Sequence, residues 1–195
     1  MKKKYAYSVD FNEKVEKLFK KAEYLGQGNN GIVFELPENK VIKIFSDSKV
    51  CNDESGILIK TKGSKYFPKI FDKGTNYIIR EKVEGERLDY YIKDNGLSEK
   101  LIRNIYSLLM EFKKLKFKKL DIRCKDIFVA KNEKIMIIDP KKSYNRKVDY
   151  PRHLMKGLMK LQVLNKFLDE IKEIDQKRYI IWKTKFEEYC ENEIY

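Results

Sequence analysis

The sequence holds one histidine, His153, and three cysteines, Cys51, Cys124 and Cys190, which lie far apart with no Cys-x-x-Cys pair. A zinc centre needs clustered ligands and a disulfide framework needs paired cysteines, so neither is expected and reduced thiols are the better reading. With a single His and no Gly-x-Ser-x-Gly, a Ser-His-Asp or Cys-His hydrolase has little to stand on. Four Pro and nine Gly are too few for a collagen-like or low-complexity chain. No apolar run approaches the roughly 18 residues of a membrane-spanning helix, so no membrane partner is expected. The opening MKKKYAYSVD is basic but carries no apolar stretch behind it, so it does not read as a signal peptide, and a cytoplasmic location is expected. Arg is also scarce, at seven of the 43 basic residues, which weakens the case for base readout through guanidinium forks. Any chemistry must come from carboxylates, lysines or a metal.

What is present is charge and apolar bulk together. The 195 residues are 42% hydrophobic, 13% aromatic and 37% charged. That is enough to bury a core in one domain or in two small lobes. A net charge of +13 favours anionic partners: nucleotides, nucleic acid or acidic proteins. The densest basic stretch, Phe112 to Lys119, reads first as a solvated helix end, where cations suit the helix dipole.

The hydrophobic pattern changes character along the chain. Residues 11–23 place Phe11, Val15, Leu18, Phe19 and Ala22 on one helical face. GIVFEL and VIKIF read as strands about a turn at Pro37 to Lys40. Asp47 to Lys60 reads as a helix, with Ser46, Asp47 or Ser48 as its cap. The stretch YFPKIFDKGTNYIIREKVEG reads as strand broken at residues 72–76. Beyond Gly85, Ser98 caps a long helix, then IFVA and KIMIID read as short strands. From Pro151 on, the pattern is helical throughout. One stripe runs from Leu154 to Ile171, and a second comprises Ile180, Ile181, Trp182, Phe186 and Tyr189. The expected fold is α+β, with a β-rich lobe over 1–84, a reduced helical lobe over 85–195 and a cleft between them.

Four clusters carry candidate chemistry. Gly26, Gly28 and Gly31, followed by Val33, form Gly-x-Gly-x-x-Gly-x-Val; glycines admit phosphate oxygens to backbone N–H groups that a Cβ would hold away. The strand that continues after Gly31 argues against a dinucleotide site, which needs a helix there. Lys43 sits among Val41, Ile42, Ile44 and Phe45, where a charge needs a partner, and Glu54 on the next helix can supply one. Asp121, Arg123 and Asp126 lie on one short loop, and Asp139 ends an apolar strand. Asp126 and Asp139 could converge on one Mg²⁺, with Asp121 left to orient a hydroxyl.

In this order, from about Ala22 to Asp139, the four clusters resemble the eukaryotic-like protein kinase superfamily. The resemblance implies that Gly26, Gly28, Gly31 and Val33 cover ATP and that Lys43, held by Glu54, meets its phosphates. It implies that the backbones of Glu81 and Val83 hold adenine, with Arg80 near the gatekeeper position. Asp121 falls on the catalytic-loop Asp, Arg123 on the basic residue two positions later, and Asp126 and Asp139 on the ligands of Mg²⁺ or Mn²⁺. Arg146, Arg152 and His153 are candidates to line an acceptor site.

There are departures from the pattern. His-Arg-Asp is Lys119-Leu120-Asp121, the metal Asn is Asp126, Asp-Phe-Gly is Asp139-Pro140-Lys141, and no Ala-Pro-Glu follows. The chain is similar to minimal members such as RIO-type and lipopolysaccharide sugar kinases, and its Asp-Pro pair to that of fructosamine kinases. The function implied is transfer of the ATP γ-phosphate to a hydroxyl, most simply on an acidic or RNA-associated protein as a Ser/Thr kinase. A nucleotide-binding scaffold without turnover and a small-molecule kinase for a sugar or aminoglycoside are the alternatives.

Overall fold

A computed structural model describes residues 9–138 and 147–192. The chain divides into two compact units, Met1–Val83 and Glu84–Tyr195.

In the first unit Asn12 caps α1 (Glu13–Phe19) by accepting from the Val15 amide. Five antiparallel strands follow, β1 (Glu23–Gly28), β2 (Gly31–Leu36), β3 (Lys40–Phe45), β4 (Ile70–Lys73) and β5 (Tyr77–Glu81), ordered β1-β2-β3-β5-β4. Between β3 and β4 runs α2 (Ser48–Lys60), capped by Asp47, whose carboxylate accepts from the Lys49 amide. Side-chain alternation gives this sheet two covered faces. Leu36, Ile42, Ile44, Tyr77 and Ile79 cluster with Val15 of α1, joined by Phe11, Leu18, Phe19, Ala22 and Phe34. On the opposite register Lys43 meets α2. The central strand β3 is therefore buried from Val41 to Phe45.

Helix α1 is shorter than the expected 11–23. Glu23 pairs with Glu35 in the β1–β2 ladder, so strand pairing takes the chain out of the helix. Phe11 and Ala22, though outside the helix, still join its apolar cluster.

The second unit begins with β6 (Glu86–Arg87) and α3 (Leu88–Asn95), neither of which the sequence signalled. Helix α3 has no side-chain cap and buries only Leu88 and Ile92, too few for a clear period. Ser98 caps α4 (Glu99–Lys114), which buries Leu101, Ile102, Ile105, Leu108, Leu109 and Phe112. Strands β7 (Ile127–Val129) and β8 (Ile135–Ile137) complete a small antiparallel sheet with β6.

The expected continuous helical tail is three helices, α5 (Arg152–Lys160), α6 (Leu164–Ile174) and α7 (Gln176–Asn192). Gln162, with φ of 60°, breaks the first join, and extended Asp175 breaks the second. The second stripe is also corrected: Trp182 and Phe186, four apart, are buried, whereas Ile180 and Ile181 are exposed. Among the described residues no helix is long and apolar enough to cross a membrane.

Candidate nucleotide and catalytic-loop site

The glycine motif is a β-hairpin, with Gly26 and Gly28 in β1 and Gly31 opening β2. Only one of the three glycines is required by packing. A Cβ on Gly31 would lie 2.0 Å from the Ile44 carbonyl oxygen, whereas one on Gly26 or Gly28 would meet nothing within 4 Å. Val33 stands directly opposite Lys43 in the β2–β3 register, which puts that lysine on the strand beside the hairpin.

Lys43 Nζ donates to Glu54 Oε2 at 2.5 Å, and both residues are buried. The ammonium also lies 4.7 Å from the Phe45 ring centroid. Cys51, one turn before Glu54, is fully buried; burial, reinforced by the charge of Glu54, pushes its thiol up to about 11. It is therefore a packing residue at neutral pH.

At the end of β5 the Glu81 amide donates to the Lys69 carbonyl, while its own carbonyl accepts from Arg80 Nη1. Val83 lies two residues on, half-buried and outside any strand. Arg80 is buried in β5 opposite Val41.

In the second unit, backbone bonds pin the loop that carries Asp121. The Leu120 amide donates to the Val148 carbonyl, and the Val148 amide donates back to Lys118. Asp121 is buried, and both its carboxylate oxygens meet His153: Oδ1 accepts from the His153 amide at 2.8 Å, and Oδ2 contacts Nδ1 of the ring. A histidine thus supports this loop after all, arriving from the first turn of α5, 32 residues downstream, rather than from the position before Leu120. Nothing local in the sequence marked that pairing.

Arg123 grips Asp126 with both arms, Nε to Oδ2 at 2.5 Å and Nη2 to Oδ1 at 2.8 Å. Between them Cys124 packs against Gly157 of α5, where an added Cβ would approach its sulfur to 2.6 Å. Burial pushes the Cys124 thiol up to about 12. Arg152 lies with its guanidinium 4.8 Å from the centroid of the Tyr189 ring.

Asp139 and Arg146 lie outside the described residues. The residue before Asp139 is tied to the loop, because the Ile138 amide donates to the Asp126 carbonyl at 2.9 Å. Among the described residues no group of three His, Cys, Asp or Glu side chains could enclose a metal. A carboxylate such as Asp126 nonetheless suits Mg²⁺, which takes one or two carboxylates and completes its shell with water and phosphate.

No protein-family model matches the chain. Over 137 residues it is 24% identical to "Putative serine/threonine-protein kinase YrzF" of Bacillus subtilis (strain 168), a match covering 66% of this chain and 64% of that protein. The chain therefore aligns with less than two thirds of the length of that relative. The likeness points to a kinase-like chain and to nothing finer.

Proposed function

We propose that the chain is a phosphotransferase that moves the γ-phosphoryl group of ATP to a hydroxyl acceptor, most simply a protein side chain. The observation that carries this reading is the buried Lys43–Glu54 pair beside the glycine hairpin. A buried lysine fixed by a carboxylate is an aimed charge, and aimed charge is what a phosphate chain requires. In this reading the two units act as the two lobes of one kinase-like domain.

The roles follow from the placements. Gly26 and Gly28, which no packing demands, would let the hairpin backbone approach the phosphates, and Lys43 would hold them. The segment from Glu81 to Val83 would seat adenine. Asp121 supplies negative charge for the acceptor's proton transfer, and Arg123 would steady the transferred group once it leaves Asp126. Asp126 and Asp139 are the residues that would hold Mg²⁺. When bound, the ion neutralises charge that develops on the phosphoryl oxygens. The net charge of +13 fits an acidic protein acceptor better than a cationic aminoglycoside.

One observation favours a second reading, a nucleotide-binding scaffold without turnover: Arg123 already occupies both oxygens of Asp126. ATP binding by calorimetry beside Mg²⁺-dependent ATP turnover separates the two. Wild type, Lys43→Ala and Asp139→Asn are compared. Binding with turnover that both changes abolish supports the phosphotransferase. Binding without turnover supports the scaffold, and no binding refutes both.

A further inference from the structure

Asp121 has the sequence position of a residue that meets an acceptor hydroxyl, but not the exposure. Its side chain has 0% exposure, and both oxygens are engaged by His153. A group that takes a proton must come within about 2.6–3.2 Å of the donor oxygen. The His153 side chain, by contrast, is 42% exposed. Its Nδ1 is turned to the Asp121 carboxylate, which leaves Nε2 as the ring nitrogen that Asp121 does not engage. A carboxylate oxygen facing Nδ1 is matched by the tautomer in which Nδ1 donates, and in that tautomer Nε2 is the nitrogen that carries the lone pair.

We infer that His153 Nε2 is the base that receives the acceptor's hydroxyl proton, with Asp121 as the positioning residue behind it. The inference rests on the phosphotransferase reading above and changes which atom touches the acceptor. The acceptor oxygen bonds to the γ-phosphorus while the bond from that phosphorus to the β,γ-bridging oxygen breaks and ADP departs. The hydroxyl proton passes to Nε2. The resulting imidazolium is held by the Asp121 charge across Nδ1–H, and the proton then leaves to water from the half-exposed ring. Backbone supports the geometry at both ends: the Leu120–Val148 bond fixes the loop, and the His153 amide fixes the first turn of α5 to the same carboxylate.

His153 is the only histidine in the chain, so its ring nitrogens are read without ambiguity. The full chain, labelled with ¹⁵N-histidine, should show the Nδ1–H tautomer in the neutral ring; the Nε2–H tautomer, or a ring still doubly protonated at the pH of turnover, overturns the proposal. ATP hydrolysis, with water standing in for the acceptor, gives the second reading. In His153→Asn the amide nitrogen can still donate to Asp121, so the loop stays supported but the base is gone. Its turnover should fall roughly 10²–10⁴-fold with ATP affinity unchanged. His153→Ala should fall as far and regain turnover when free imidazole is added. Full turnover by His153→Asn overturns this proposal and leaves the phosphotransferase standing. A wild type that turns over no ATP overturns the phosphotransferase, and the base role of His153 falls with it.

Discussion

Replacing Glu54 by Ala removes one partner from a pair whose nitrogen and oxygen lie 2.5 Å apart and whose side chains are 11% and 6% exposed. Breaking a buried pair from one side costs about 3–5 kcal/mol, because the remaining charge keeps its desolvation penalty and loses the attraction of this carboxylate. The Phe45 ring at 4.7 Å offers Lys43 some compensation, so a loss near 3 kcal/mol is expected. Against a typical total of about 5–15 kcal/mol, that is a large fraction. At a urea slope of about 1–3 kcal/mol per molar, the midpoint should drop by roughly 1–3 M. Far-UV circular dichroism follows the loss. Trp182, the one tryptophan, lies in the second unit, so its fluorescence reports on that unit instead. The double change Lys43→Met with Glu54→Leu removes both charges at similar volume and should recover most of the stability. It should not recover ATP binding, because the aimed ammonium is gone. A Glu54→Ala midpoint equal to wild type, or a double variant that binds ATP as wild type does, would refute the reasoning.

Three further outcomes follow from the same geometry. Gly26→Ala and Gly28→Ala should leave the free energy of urea unfolding within about 0.5 kcal/mol of wild type yet weaken ATP in calorimetry, whereas Gly31→Ala should cost about 1–3 kcal/mol because its Cβ meets the Ile44 backbone. Cys51 and Cys124, with thiols pushed up to about 11 and about 12, should resist iodoacetamide near neutral pH while half-buried Cys190 reacts; mass spectrometry with and without urea reads the difference. At Asp175, burial raises the carboxyl, but bonds from the Arg178 amide, the Tyr106 hydroxyl and the Arg178 guanidinium outweigh it and hold the carboxyl below 3.8. Its contribution is therefore present above 3.8 and lost as pH falls through the lower folded value, so Asp175→Asn should flatten the acid limb of the melting temperature.

Much of the first unit was legible because its signals are local. The strand VIKIF and the Asp47 cap rest on signals within a few residues and are present, whereas the break expected at residues 72–76 is shorter, at 74–76, because Asp72 and Lys73 still pair with Ile79 and Ile78. The spacing of eleven residues between Lys43 and Glu54 was legible for the same reason: a charged residue in an apolar strand needs a counterion from the next element. Elements without a strong period escaped, such as α3 with its two buried residues and the two breaks that divide the C-terminal helices. The exposure of Ile180 and Ile181 was likewise invisible, because a run of apolar residues does not say which side of a helix its neighbours will cover.

The sequence by itself determined strands β2, β3, β7 and β8, the capped helices α2 and α4, the order of the four charged and glycine clusters, and the need of Lys43 for a carboxylate. These depend on backbone propensity and on charge desolvation, which act over a few residues. Only the tertiary structure decided that Gly31, and not Gly26 or Gly28, is held by packing, that Arg123 closes on Asp126, and that Asp121 is buried against His153. Those depend on which surfaces approach in space, and a residue 32 positions away leaves no trace in the local pattern.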